Sequence, residues 1–178
     1  MTDIALQEIS SQEDLDLFCA ELQLAFQIAY EAEHGRNGRT AIPEEHIRAA
    51  FAEPEARVCF AFAAGKRIGG AVTVTDGKTR RGVLHLLYVR PEVQNRGFGQ
   101  AIWQAIEARH PEVRAWETCT PYFDRRNIHF YINRLGFRAV EFFHPGHRDP
   151  ADGGGTGGIP EDDYFFFRFE KERPGAEG

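Results

Sequence analysis

The sequence has few cysteines and no pattern that would use them together. Three occur in 178 residues, Cys19, Cys59 and Cys119, and no Cys-x-x-Cys pair is present. This spacing argues against a disulfide framework and against a cysteine-based zinc site. Each cysteine lies among apolar or β-prone residues, so we expect three buried free thiols in a reducing cytoplasm.

Long apolar runs and an excess of basic residues are also absent. No stretch reaches the roughly 20 apolar residues that a membrane-spanning helix needs, and the N-terminus is too acidic and polar for a secretory signal peptide. The formal net charge of -6 argues against sequence-independent nucleic-acid binding, which depends on basic surface. We expect a cytoplasmic protein that binds neither membrane nor nucleic acid, and the length suits one compact α/β domain.

Apolar residues recur with helical period in some segments and with strand character in others. Ser10 or Ser11 offers an N-cap for a long first helix, with acidic residues in its first turn. Pro43 suits the start of a second helix, and Pro111 ends the third. The predicted strands are residues 4–9, 57–64, 66–76, 83–89, 113–120, 137–143 and 164–170, and the helices begin near residues 12, 43, 100 and 127.

The most informative segment runs from residue 84 to residue 110. An apolar, β-prone stretch meets Pro91, which lacks an N–H and therefore ends strand pairing. Residues 94–100, called the glycine turn below, contain Gly97 and Gly99 and precede apolar residues at helical spacing. N–H groups at a helix start bind anions, and glycine lets a ligand approach the backbone. The segment therefore predicts a pyrophosphate site.

Two common phosphate-binding motifs do not fit this turn. The dinucleotide fingerprint needs a third glycine where Ile102 stands, and the P-loop needs a lysine that follows neither glycine here. The segment instead resembles motif A of the GCN5-related N-acetyltransferases (the GNAT family), V-x-P-x-x-[QR]-x-x-G-x-[GA]. The matching residues are Val89, Pro91, Gln94, Gly97 and Gly99.

The resemblance implies a fold and a co-substrate. The fold is the α/β (α+β) GNAT acyl-CoA N-acyltransferase fold, a central mixed, mostly antiparallel sheet of about seven strands flanked by about four helices, here one domain over residues 1–178. The co-substrate is acetyl-CoA, with no metal. Its pyrophosphate would lie on the glycine turn, and its pantetheine arm would bond to the preceding strand as an added strand does. The residues expected to hold it are Leu87, Tyr88, Val89, Gln94, Asn95, Arg96, Gly97, Phe98, Gly99, Gln100 and Asn127.

Residues 127–137, Asn-Ile-His-Phe-Tyr-Ile-Asn-Arg-Leu-Gly-Phe, resemble motif B of the same family. The resemblance implies that Asn127 contacts the pantetheine arm and that Tyr131 protonates the departing thiolate. The family tyrosine commonly stands four residues before the glycine, whereas Tyr131 stands five before Gly136, and one residue is about 100° of rotation on a helix. A core aromatic is the alternative for Tyr131, and Tyr122 is a second candidate acid.

The base that deprotonates the acceptor amine has two candidates. Acyl transfer needs the neutral amine, and family members often carry an acidic residue where Val83 stands here. His85 lies two residues on, hence on the same strand face, and a histidine ordinarily titrates near pH ~6.5. Glu117, on the next strand, is the other candidate. A lone histidine on an apolar strand is more often a core residue, a structural role is likewise the alternative for Glu117, and the sequence identifies no base.

The segment 144–163 is rich in glycine, proline and acids, and it bears on the acceptor. In the family this connection often borders the acceptor site, so its acids, with Glu31 and Glu33, favour a small cationic amine. His144 and His147 near acids also invite a metal interpretation, but two histidines in such a loop are ordinary polarity, and no metal is expected. The loop acids are Asp149, Asp152, Glu161, Asp162 and Asp163.

Two other functions fit the same motifs. One is a non-catalytic acetyl-CoA-binding sensor or partner module on this fold, and the other is acetylation of a protein lysine or N-terminus. A homodimer is compatible with the family, although no interface is marked in the sequence.

Overall fold

The computed structural model describes residues 2–152 and 163–174. They belong to two compact units that divide between Val113 and Arg114. The glycine run at 153–158, Glu161 and Asp162 lie outside the described residues, as does the side chain of Asp152. The prediction of one domain is not tested by this division and stays a prediction.

The first unit contains four strands and three α-helices. The strands pair antiparallel in the order β1-β2-β3-β4. A 3-10 turn at Pro91–Val93 connects β4 to the glycine turn. The strands are β1 Ile4–Glu8, β2 Ala56–Ala63, β3 Lys66–Asp76 and β4 Arg81–Val89, and the helices are α1 Gln12–His34, α2 Glu44–Ala52 and α3 Phe98–Arg109.

Helix α1 begins and ends where local chemistry dictates. The Ser11 Oγ accepts the Asp14 N–H at 3.2 Å, and acidic side chains in the first turn favour the positive end of the helix dipole. Gly35, at φ 75°, ends the helix and donates its N–H to Glu31 O at 2.8 Å. The N-cap prediction at Ser10 or Ser11 is confirmed at Ser11.

A hydrophobic core lies between the sheet and the helices α1 and α2. Phe18 is fully buried and makes edge contacts with Phe51 at 5.5 Å and with Tyr88 at 5.1 Å between ring centroids. Ile47 of α2 and Val72 of β3 belong to the same cluster. Aromatic pairs in this geometry add to the stabilisation from burial alone.

Strand β3 has no room for a side chain at Gly69 or Gly70. A Cβ on Gly69 would meet the backbone oxygen of Tyr88, and a Cβ on Gly70 would lie 2.6 Å from the Phe18 ring and 2.7 Å from the Cys59 backbone oxygen. Side chains cannot occupy such distances without backbone movement. The two glycines therefore make room for Tyr88 in the core.

Strand β4 carries a β-bulge at His85. Val72 pairs with Leu86, whereas the next residue of β3, Thr73, pairs with Leu84, so His85 has no cross-strand partner in this register. A bulge of this kind bends and twists the strand and changes the direction of the side chain it carries.

The described residues of the second unit form three strands, one short α-helix and a π-helical turn. β7 lies between β5 and β6 and pairs antiparallel with both. Helix α4 continues directly into the π-helical turn, in which Leu135 N–H donates to Phe130 O at 3.1 Å, five residues back. The strands are β5 Ala115–Pro121, β6 Arg138–Phe143 and β7 Phe166–Glu172; α4 is Arg125–His129 and the π-helical turn is Phe130–Arg134.

The seven strands and four α-helices of the described residues confirm the predicted fold class. The expectation of three buried thiols is wrong for one of them. Cys19 and Cys59 are buried, but Cys119 is exposed, because the neighbouring Thr118 and Thr120 take the buried face of β5 and alternate residues of a strand face opposite sides. No helix in the described part of the chain is long and apolar enough to span a membrane.

Candidate functional site

The glycine turn has the backbone conformation of an anion-binding loop. Asn95 and Gly97 have φ values of 63° and 80°, on either side of Arg96. Gly97 is the left-handed N-cap of α3, and such a conformation costs a residue with a Cβ free energy. No described atom lies within 4 Å of the place a Cβ on Gly97 would occupy, so the turn is open above this glycine.

The amide groups of the turn are available to a ligand. Ala101 N–H donates to Gly97 O at 3.1 Å, and Gln94 N–H lies 3.4 Å from Pro91 O. Within the described residues, the backbone N–H groups of 95 to 100 make no hydrogen bond to a protein acceptor. The first turn of α3 carries no acidic residue. The arrangement fits a pyrophosphate, which bridging amides and a helix N-terminus would bind together.

Gln94 ties the turn back to the strand that precedes it. Its Nε2 donates to the backbone oxygen of Val89 at 3.0 Å. The motif A glutamine is therefore bonded within the protein through its side chain, and its place among the residues that contact the co-substrate stays a prediction.

At the end of β4, one row of backbone groups points away from β3. Arg90 N–H donates to Ile68 O at 2.8 Å, and Tyr88 pairs with Gly70. Because bonding alternates along an antiparallel strand, Leu87 and Val89 direct their N–H and C=O groups to the opposite edge. The Val89 oxygen already accepts from Gln94 Nε2 at 3.0 Å, so the groups that could pair with an extended ligand are the Val89 N–H and those of Leu87. The Tyr88 side chain, 2% exposed, lies in the core.

His85 is half-buried at the bulge of β4. Burial lowers the pKa of its imidazole below the ordinary value, and the Glu53 carboxylate at the end of α2 acts weakly in the opposite direction. Desolvation disfavours the charged imidazolium. The side chain is therefore neutral near pH 7 and able to accept a proton.

Glu117, the other candidate base, lies in a network of charges on unit two. Arg168 Nη1 is 3.8 Å from the Glu117 carboxylate, while Arg168 Nη2 is 2.7 Å from the carboxylate of Glu141. Glu141 also contacts His147 at 2.9 Å. His147 is thus part of a side-chain network, and the described residues hold no cluster of three metal-ligating side chains.

Asn127 is turned towards the N-cap of α4. Its backbone N–H and its side-chain Nδ2 donate to the two carboxylate oxygens of Asp124, at 3.0 and 2.7 Å. The side chain of Asn127 therefore helps to begin the helix.

Tyr131 is in the core of unit two. It is 6% exposed and packs against Phe137 and Phe169, with ring centroids 5.7 and 5.9 Å away. Burial raises its pKa to about 12, partly offset by a hydrogen bond with Thr118. Tyr122, by contrast, is 57% exposed.

Sequence reasoning missed a polar group beside the candidate site. Glu21 of α1 bonds to Tyr88 and Arg67 and lies near Arg90. The available signal was its position three residues after Phe18, which places a carboxylate beside the apolar stripe of α1.

Comparison with known proteins identifies the family. A model of the acetyltransferase (GNAT) family matches residues 18–137. The uncharacterized protein YrkN of Bacillus subtilis (strain 168) is 40% identical over 144 residues, which cover 80% of this chain and 78% of that protein.

Solved structures of low sequence identity share the fold. The spermidine N-acetyltransferase of Vibrio cholerae, in complex with CoA and spermine, matches with a TM-score of 0.62 at 13% identity and covers 95% of each chain. The ribosomal-protein-S18-alanine N-acetyltransferase of Escherichia coli matches with a TM-score of 0.63 at 13% identity and covers 98% of each chain. With the family model matching well over half of its length, the chain belongs to the GNAT acetyltransferase family.

Proposed function

We propose that this protein is an acetyl-CoA-dependent N-acetyltransferase that transfers the acetyl group directly to a primary amine in the cytoplasm. The observation that carries the proposal is the glycine turn, in which the backbone amides of residues 95 to 100 have no acceptor among the described residues and follow a strand end with outward-facing backbone groups. Membership of the GNAT family supports the same reaction.

The residues of unit one would hold the co-substrate. Amides of the glycine turn bind the pyrophosphate, and the exposed Arg96 adds positive charge. Backbone groups of Leu87 and Val89 bond to the pantetheine arm as a neighbouring strand would. Acetyl-CoA supplies an acyl group activated as a thioester, and a backbone N–H of this strand would polarise its carbonyl.

His85 is the proposed general base. Its neutral imidazole takes a proton from the acceptor ammonium, so that the amine nitrogen forms the new C–N bond while the C–S bond breaks. We prefer His85 to Glu117 because the Glu117 carboxylate already faces Arg168.

A proton must also reach the departing thiolate, and Tyr131 is the proposed donor. The second proton that the nitrogen loses as it becomes an amide then restores the tyrosine hydroxyl through solvent. Its raised pKa keeps the hydroxyl protonated throughout the working range. Tyr122, the more exposed of the two tyrosines, is the alternative donor.

The proposed acceptor is a small cationic amine. The support is electrostatic: exposed or half-buried acids at Glu31, Glu33, Asp149 and Asp163 would attract a cation. The spermidine N-acetyltransferase that shares the fold was solved with spermine, which is consistent with an amine of this class.

A second function, a non-catalytic acetyl-CoA-binding module, is favoured by one observation. Tyr131 is buried among aromatic rings, as a purely structural residue would be. Such a module would bind acetyl-CoA without releasing CoA in the presence of any acceptor. Acetylation of protein lysines or N-termini is the third possibility, and the S18-alanine enzyme shares this fold.

Calorimetric titration with acetyl-CoA, followed by a thiol-release assay over small amines, polyamines and peptides, tests the proposal. We expect binding, and CoA release that is fastest with cationic amines. Binding without release across the panel would favour the non-catalytic module. Preference for peptides would favour a protein acetyltransferase, and absence of binding would refute the co-substrate assignment.

The substitution Gly97→Asp should abolish acetyl-CoA binding because it places a carboxylate where the pyrophosphate would lie. Gly97→Asn is the matched control, since it has the same size and the same left-handed backbone but no charge. We expect the aspartate variant to bind about 100-fold more weakly than the asparagine variant, measured by calorimetry. Equal affinities in the two variants would show that no anion binds at the turn.

The pH dependence of turnover should report His85. The pKa of His85 lies below the ordinary histidine value, so the imidazole stays neutral down to pH ~6.5. We therefore expect kcat/KM for the acceptor, measured at saturating acetyl-CoA, to fall only below that pH. His85→Gln should remove this acid limb and lower kcat/KM by about 100-fold at pH 7. The exposed His34→Gln is the control; an unchanged acid limb in His85→Gln would assign the base elsewhere.

Removal of the Tyr131 hydroxyl should slow turnover with little effect on acetyl-CoA affinity. We expect Tyr131→Phe to lower kcat by about 100-fold, measured by thiol release, with Kd from calorimetry as the reference. Tyr122→Phe is the comparison variant. If Tyr122→Phe is slow and Tyr131→Phe is normal, the donor is Tyr122.

A further inference from the structure

A polar network joins helix α1 to the end of strand β4 in unit one. The Glu21 carboxylate, 12% exposed, accepts from Arg67 Nη2 at 2.7 Å and from Arg67 Nε at 3.1 Å. It also accepts from the Tyr88 hydroxyl at 2.6 Å. Arg90 Nε lies 3.6 Å from the same carboxylate, so three side chains of β3 and the end of β4 converge on one residue of α1.

The Glu21 carboxylate is largely buried, whereas the side chains of Arg67 and Arg90 are 27% and 34% exposed. An O–H···O bond of 2.6 Å to a carboxylate is a charge-assisted bond. Burial and this bond to Glu21 raise the pKa of Tyr88, so the hydroxyl remains a donor at every working pH. Replacing buried ion pairs by apolar residues is often neutral for stability. We therefore look for the role of the network in the geometry that it fixes.

The network fixes the position of the backbone on both sides of Tyr88. The Tyr88 ring packs edge-on against Phe18 and lies beside Gly70 of β3, while Gly69 lies against the Tyr88 backbone carbonyl. Its neighbours in the chain, Leu87 and Val89, are the residues whose backbone groups face away from β3.

Arg90 extends the same restraint into the turn. Its N–H bonds to Ile68 O at 2.8 Å and its Nη1 lies 3.3 Å from Arg67 O. Its Nη2 pairs with Glu92 at 2.7 Å, within the 3-10 turn that leads to the glycine turn. Glu21 thus restrains the strand end and the start of the turn through two side chains at once.

We propose that Glu21 is a positioning residue for acetyl-CoA, holding the end of β4 and the start of the glycine turn in register with each other through Tyr88 and Arg90. The inference rests on the proposed function, since it assigns Glu21 a part in the same site. Glu21 touches neither substrate; it acts by keeping two separate contact regions for one extended ligand at a fixed spacing. Small misplacements of binding groups weaken such ligands strongly.

The test is a comparison of the two Michaelis constants in Glu21→Gln. The amide keeps the size of the side chain but removes the charge that gathers the arginines. We expect KM and Kd for acetyl-CoA to rise about tenfold, with KM for the amine acceptor unchanged. Glu13→Gln, an exposed substitution of the same kind on α1, should leave both constants at their wild-type values.

Tyr88→Phe keeps the ion pairs and removes one hydroxyl, so it tests the same role with a smaller perturbation of the fold. It should also raise KM for acetyl-CoA. The double variant Glu21→Gln/Tyr88→Phe should raise this KM by less than the product of the two single factors, because the two residues act through the same contact. Unchanged acetyl-CoA constants in a folded variant, or an equal rise in both Michaelis constants, would overturn the positioning role. Failure of the wild-type protein to bind acetyl-CoA would instead overturn the proposed function itself, and calorimetry of the wild type separates the two results.

Discussion

β3 lies so close to the Tyr88 backbone of β4 at Gly69, and to the rings of Phe18 and Tyr88 at Gly70, that neither glycine has room for a side chain. The rest of the candidate site depends on this contact. It brings Tyr88 into the core beneath α1, fixes which backbone groups of β4 are used by β3, and leaves those of Leu87 and Val89 on the other edge. The glycine turn then begins only a few residues later, so the strand and the turn form one continuous stretch of backbone donors and acceptors.

Local parts of this arrangement could be predicted from the sequence. A strand that meets Pro91, a turn with glycines and an apolar helical stripe are all features of neighbouring residues, and the structure has the strand, the turn and the helix in that order. Gly97 has the left-handed backbone conformation that glycine adopts more easily than other residues. The contact between Glu21 and Tyr88 spans 67 residues of sequence, and no local pattern reports such a pairing. The bulge at His85 was also missed, because the apolar run 83–89 gives no sign of the extra residue.

The second unit shows how one extra residue is absorbed. The spacing between Tyr131 and Gly136 is one residue longer than the family commonly has, and the structure takes up the difference as a π-helical turn with a bond from Leu135 to Phe130. Phe137 N–H then closes on Tyr131 O at 2.9 Å across the left-handed Gly136. The sequence could show that the spacing was unusual, but the choice between a rotated tyrosine and a bulge depends on the aromatic packing around Phe169.

The half-buried imidazole of His85 also makes the free energy of unfolding depend on pH. In the unfolded chain this histidine titrates near its ordinary pKa of 6.5, whereas burial lowers the pKa in the folded protein. As the pH falls below 6.5, the unfolded chain takes up a proton before the folded chain does, so the free energy of unfolding decreases until the folded-state pKa is passed. The burial that keeps the His85 imidazole neutral therefore makes the protein easier to unfold in mild acid.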